Sequence, residues 1–283
     1  MENKFEYLGV FYTNNNYKFR EVLNIRRKSI SQESPDLIVI MMNPGSSEPI
    51  NGNDNSIVET YTKPDNTQSQ VVAVMENLNY NYARVLNLSD VREAKSKNFY
   101  DLIKKLDEEK INHSIFSDAR KNDLDKLFEP DIPVIIAWGV DKVLEKLAMS
   151  ALTKLQDYPV AGIKKELTDF AFYHPYQRLK KSRIRWIDCI TKQLKHMREL
   201  KEFKENVLAK FTEHITDSVF LMIQNDRKLM SEYLRLVDNG SLKNINSEIA
   251  KEIKKRYNLA NQNNINYKPK SFLINSYELF ESK

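Results

Sequence analysis

Three short, largely apolar runs constrain the fold of this chain more than any other feature. They are LIVIMM between Asp36 and Asn43, RVLNL between Ala83 and Ser89, and VIIAW between Pro133 and Gly139. An alternating pattern would leave one face of a strand in water. A continuous run of this length suits a parallel strand covered on both faces. A fourth, shorter run, FAFYHP, ends at Pro175. Helical spacing between the runs predicts helices over Gln70 to Leu78, Phe99 to Lys110, Ser117 to Phe128 and Val140 to Leu152. Alternation of strand and helix predicts an α/β fold, a layered α/β/α domain around a central, mostly parallel four-stranded sheet. The span from Asn51 to Gln70 is poor in apolar residues and rich in Asn, Asp, Thr and Ser, so it reads as a long loop or irregular crossover.

After Trp186 the character changes. A helix starting near Lys181 continues past Met197, and helical spacing returns over Asp226 to Val237 and Asn246 to Tyr257. Asn239-Gly240 between them is a helix stop. This predicts an α/β domain over residues 1–200 and a helical accessory module over 201–283. The module's apolar residues, Phe220, Leu221, Ile223 and Leu229 among them, read as helical core. Its expected role is partner binding, dimerisation or DNA contact.

Composition narrows the function classes. Hydrophobic residues make up 41% of the chain, enough for a core. No apolar run approaches 18 residues, and MENKFEYLGVFY lacks the layout of a signal peptide, so a soluble, cytoplasmic protein is expected. The single cysteine, Cys189, rules out an internal disulfide and a cysteine cluster, and the four histidines have no zinc-binding spacing. No metal or other cofactor is expected. The net charge of +5 is modest, but residues 178–204 hold ten Lys or Arg against three Asp or Glu. Such a stretch suits phosphate contact, or else a solvated helix face with i,i+4 partners such as Arg198 and Glu202.

In a parallel sheet, ligands bind beyond the carboxyl ends of the strands. Those ends carry Asn43-Pro44-Gly45, then Asn87 with Ser89 to Arg92, then Trp138-Gly139, then His174-Pro175-Tyr176. Parallel strands would bring all four groups to one rim.

The same four segments, in this order, resemble the uracil-DNA glycosylase superfamily over residues 35–195. IVIMMNPG is similar to its water-activating motif, GINPG in the mismatch-specific branch and GQDPYH in the uracil-specific branch. RVLNLSDVR resembles the LLLNxxLTVR segment, VIIAWGVDKVLEK the VFLLWGxxAxxK strand and helix, and FYHPYQRL the HPSPLS segment. The arrangement also resembles a bacterial family of conserved domains with no established function.

The resemblance implies a DNA repair enzyme that flips uracil from DNA, single- or double-stranded, and hydrolyses its N-glycosidic bond. His174 would donate to the departing base through its O2. Asn87 would read the base edge, since an amide offers donor and acceptor together. Asn43 would orient the attacking water, but it stands where the uracil-specific branch has aspartate, so slower chemistry is implied. Pro44 and Gly45 would shape that loop, Gly45 standing where that branch has a tyrosine that blocks thymine. Tyr61, in YTKPD, is the expected stacking partner for the base, with Tyr80 and Tyr82 as alternatives. Leu179 or Tyr176 would wedge into the DNA stack, with Arg178, Lys180, Lys181 and Arg183 as DNA-binding neighbours. Arg92 is either a phosphate ligand or a surface charge. The family's serines are missing from the HPSPLS-like loop, and a nucleic-acid-binding protein without strong catalysis is the alternative reading.

Overall fold

The computed structural model describes residues 4–213, apart from positions 130 and 157. Its strands are β1 (Phe5–Asn14), β2 (Tyr17–Arg27), β3 (Leu37–Met41), β4 (Ser56–Tyr61), β5 (Tyr82–Asn87), β6 (Val134–Ile136) and β7 (Val160–Ala161). Its α-helices are α1 (Asn66–Leu78), α2 (Ser96–Glu108), α3 (Lys121–Leu127), α4 (Glu145–Lys154) and α5 (Lys180–Glu213), with short 3₁₀ turns leading into α3 and α4. Among the described residues the strands form one seven-stranded sheet in the order β4-β1-β2-β5-β3-β6-β7.

The three long apolar runs form β3, β5 and β6, which pair in parallel. All five residues of β3 are buried, as expected for a strand covered on both faces. One face carries Ile38, Ile40, Leu86, Val134 and Ile136 into a core with Phe99 and Ile103 of α2, Leu124 of α3 and Ala148 of α4. The intervening residues Leu37, Val39, Ala83 and Val85 point the other way and are equally buried. On α1 the buried stripe is Val71, Val74, Met75 and Leu78.

The sheet is larger than the expected four strands and is mixed, because β1, β2 and β4 add an antiparallel half. The β1–β2 hairpin turns at Asn15-Asn16, with φ of 48° and 67°. A tight two-residue hairpin needs this left-handed backbone, and asparagine tolerates it better than most residues. The span 51–70 is not one long loop. It contains edge strand β4 and the start of α1, where Asp65 accepts from the backbone N–H of Thr67 and Gln68 at 2.8 and 2.9 Å. The Gln68 side chain completes the capping box by accepting from the Asp65 N–H at 3.1 Å.

The expected fourth strand, 170–175, does not join the sheet; β7 pairs with β6 instead. Phe172 exchanges backbone hydrogen bonds with Gly139, and Tyr173 N–H donates to Ile163 O at 2.8 Å. Trp138 Nε1 donates to Phe170 O at 2.7 Å, so the segment is held beside the end of β6 by isolated bonds. Among the described residues no helix is long and apolar enough to cross a membrane. The expected accessory module falls outside the described residues beyond Glu213.

Candidate functional site

β3 and β5 run side by side to Met41 and Asn87, and their pairing continues one step further, through Leu88 N–H to Met41 O and Ser89 N–H to Met42 O. This parallel register brings Asn43 and Asn87 together. The Asn87 amide nitrogen, in the orientation that satisfies both ends of the group, donates to Asn43 O at 3.1 Å, and its oxygen accepts from Arg20 Nη2 at 3.3 Å. Asn87 is 0% exposed. Its amide is therefore already engaged on both sides, and one N–H and one lone pair remain for any other partner. The Asn43 side chain ties its loop to the β5–α2 connection, Nδ2 donating to Glu93 O at 2.7 Å and to Val91 O at 3.5 Å. Pro44 is buried beneath this turn, and Gly45 adopts φ 63°, a left-handed backbone with open space where a Cβ would stand.

Arg20 is the residue that the sequence reading missed. It is 2% exposed, and its Nε and Nη1 have no hydrogen-bond partner. A bulge explains its position. Val10 pairs with Val22 and Phe11 with Arg20, which leaves Glu21 as an extra residue on β2. Regular alternation back from Leu23 and Ile25 would put Glu21 on their face. The extra residue reverses the parity, so Arg20 lies on that inner face and Phe19 joins Val22 on the opposite one. Burial pushes the Arg20 guanidinium down to about 10, with Asp65 and Asp90 pulling upward and Arg92 adding to the fall.

Residues 20–176 match the family described as a protein of unknown function, DUF1643. This chain belongs to the DUF1643 family. No curated protein and no solved structure matches it. The DUF1643 segment takes in every group at this rim, from Arg20 to His174. Its description names no activity, and the likeness to uracil-DNA glycosylases rests on the four sequence segments alone.

On the DUF1643 rim, His174 is held by what flanks it. Tyr176 N–H donates to His174 Nδ1 at 3.2 Å, and Trp186 Nε1 of α5 donates to Tyr173 O at 3.1 Å. An Nδ1 that accepts leaves the proton on Nε2, and burial holds the ring's pKa below its ordinary value. The Asp65 carboxylate, at the N-terminus of α1, acts electrostatically on both His174 and Arg20.

The other expected residues are arranged differently. Tyr61 ends β4 and is 57% exposed, its hydroxyl reaching Glu6 Oε2 at 3.4 Å. It pairs with Leu8, and alternation along β1 sets Leu8 and Phe11 on opposite faces, so Tyr61 points away from the face that carries Arg20. Tyr82 is buried at the start of β5, its hydroxyl on Asn24 Oδ1 at 2.8 Å, far along the strand from Asn87. Beyond His174, Leu179 stands 66% exposed among exposed Arg178, Lys180 and Lys181. Tyr176 is 40% exposed, with the Arg183 guanidinium 4.6 Å from its ring centroid. Arg92 is no surface charge. It bonds Asp54, lies 5.3 Å from the Phe11 ring centroid, and keeps Nε buried without a partner.

Proposed function

We propose that this rim is the active site of an N-glycosidic hydrolase that flips uracil out of DNA and cleaves its bond to the sugar. The observation that carries this reading is the hydrogen bond from the Tyr176 N–H to His174 Nδ1, which fixes the ring from behind and leaves Nε2 to carry the proton, with burial favouring the neutral form. The departing base gathers negative charge on its O2, and a fixed donor in a partly dry site stabilises that charge without reorganising. Asn43 keeps its side-chain oxygen for the attacking water while its nitrogen anchors the loop. Lacking a carboxylate at that position, the enzyme turns over slowly. Asn87, pinned between Asn43 O and Arg20, presents its remaining N–H and lone pair to the base edge. Leu179 enters the stack that the base has left, with Arg178, Lys180 and Lys181 on the flanking phosphates.

The test is release of uracil from single- and double-stranded oligonucleotides, read as alkali-labile sites. His174→Ala should lower the rate by about 10²- to 10³-fold, the usual loss for one such donor. Release by the unaltered protein no faster than by that variant sinks the proposal.

One observation favours a second reading, a glycosylase-like protein that binds nucleic acid without releasing a base. Asn87 is fully buried, and each end of its amide already has a partner within the protein. Binding that weakens steeply with salt, with no base released from any oligonucleotide, supports that reading; absence of DNA binding at low salt rejects it.

A further inference from the structure

Arg20 is a charged group placed where proteins seldom leave one unmatched. A buried arginine ordinarily has its donors satisfied by carboxylates or carbonyls, because each unpaired charged donor in a dry interior is costly. Arg20 donates to Asn87 through Nη2, while Nε and Nη1 have no partner. Two further orphaned donors come from other elements of the same rim. One is Arg92 Nε, on a guanidinium that Arg20 senses as a neighbouring positive charge. The other is the buried Ser47 hydroxyl, next in the chain to Glu48, whose carboxyl in turn feels Arg92. Four donor atoms from β2, the β3–β4 loop and the β5–α2 loop thus lack acceptors.

We propose that Arg20, Arg92 and Ser47 form a receptor for a phosphoryl group. A phosphoryl group offers several oxygens in a tetrahedral array, which suits donors arriving from three elements better than one planar carboxylate does. Arg92 and Lys18 share the Asp54 carboxylate, whereas Arg20 has no ion-pair partner among the described residues and Asp65 and Asp90 act on it only through space. Asp54 is an internal anion in this scheme. Its carboxylate bonds Arg92 and Lys18 from the loop that carries Gly52 at φ 73°. An entering phosphoryl group takes Arg92 from Asp54 and the loop parts to admit it. The proposal does not depend on base release, because binding is measured with ligands that contain no cleavable uracil in DNA.

The experiment is calorimetric titration of the full chain, in phosphate-free buffer, with inorganic phosphate, a deoxynucleoside monophosphate and a short uracil-free oligonucleotide, alongside thermal melts. Binding of at least one of the three is expected, and the set distinguishes a free phosphate from a nucleotide or a polynucleotide phosphate. Arg20→Met should weaken that binding about tenfold or more, and a retained cooperative melt without ligand shows that the variant folds. Asp54→Asn should strengthen binding by roughly threefold to tenfold by freeing Arg92. No binding by the unaltered protein at millimolar ligand overturns the proposal, as does an Arg20→Met variant that folds yet binds unchanged. Should Arg20→Met fail to fold, Asp54→Asn decides, since unchanged or weaker binding overturns the proposal.

Discussion

Two arginines, Arg20 buried and Arg120 half-buried, lie on opposite faces of the same strand pair and are treated in opposite ways. Arg120 is surrounded by acceptors. It pairs with Asp90, with Glu21 at 2.6 Å and with Asp123 at 3.5 Å, and lies 6.0 Å from the Tyr12 ring centroid. Burial works against its charge, and Asp90, Tyr12 and Glu21 more than offset this, so its pKa rises. Arg20, under one residue's separation from Glu21, has two nitrogens with no acceptor and a lowered pKa. The lesson is that burial alone does not tell a structural arginine from a functional one. What separates them is whether the protein supplies the counter-charge or leaves that to a ligand.

The largest effect should come from breaking the Arg120 network. Arg120→Met leaves Asp90 and Glu21 without their cation, and should cost about 3–5 kcal/mol in urea unfolding at pH 8, against about 1–2 kcal/mol for Arg20→Met, which orphans only the Asn87 amide oxygen. Equal losses in the two variants would erase the distinction between the two arginines.

A smaller effect concerns Asp90, whose pKa burial pushes up to about 7 despite Arg120. A carboxyl whose folded pKa lies above its unfolded value binds more protons when folded. Its contribution to stability is therefore complete below about pH 4 and is lost as pH rises through about 7. His113 and His174, with lowered pKa values, act in the opposite sense below their ordinary range. The clean measurement is a difference: Asp90→Asn should remove a fall in stability between about pH 4 and pH 7 that the unaltered protein carries. Parallel stability–pH curves for the two proteins would assign Asp90 an ordinary pKa. The Arg120→Met loss should likewise shrink at pH 5, where Asp90 takes up a proton.

The smallest effect sharpens the open side. Asp65→Asn retains a good helix cap, so stability should change by less than about 0.5 kcal/mol. It removes the carboxylate that faces Arg20 and His174, and phosphate affinity should rise by roughly threefold. An unaltered affinity would place Asp65 outside the electrostatic reach of the ligand.

The parallel half of the sheet was legible because strands buried on both faces must be apolar throughout, as LIVIMM is. The antiparallel half was obscured. In β1, Phe5, Tyr7 and Phe11 alternate with Leu8 and Val10, so neither face stands out as polar. β4 is an edge strand, and its polar residues read as loop. At the site, Asn43, Asn87 and His174 could be found from strand ends, whereas the closure of Asn87 depends on Arg20, a partner 67 positions away. Arg20 itself was hidden by the bulge. The signal was present as a slipped phase, with apolar residues at Phe19, Val22, Leu23 and Ile25 where strict alternation allows no such set.

That extra residue in β2 also joins two sides of the molecule at one point. Arg20 and Glu21 share a peptide unit yet serve opposite sides of the sheet, one toward the rim and the other on Arg120. A single peptide is thus the shortest covalent path between the rim and the Arg120 network, and a change of bulge there would reassign both side chains at once.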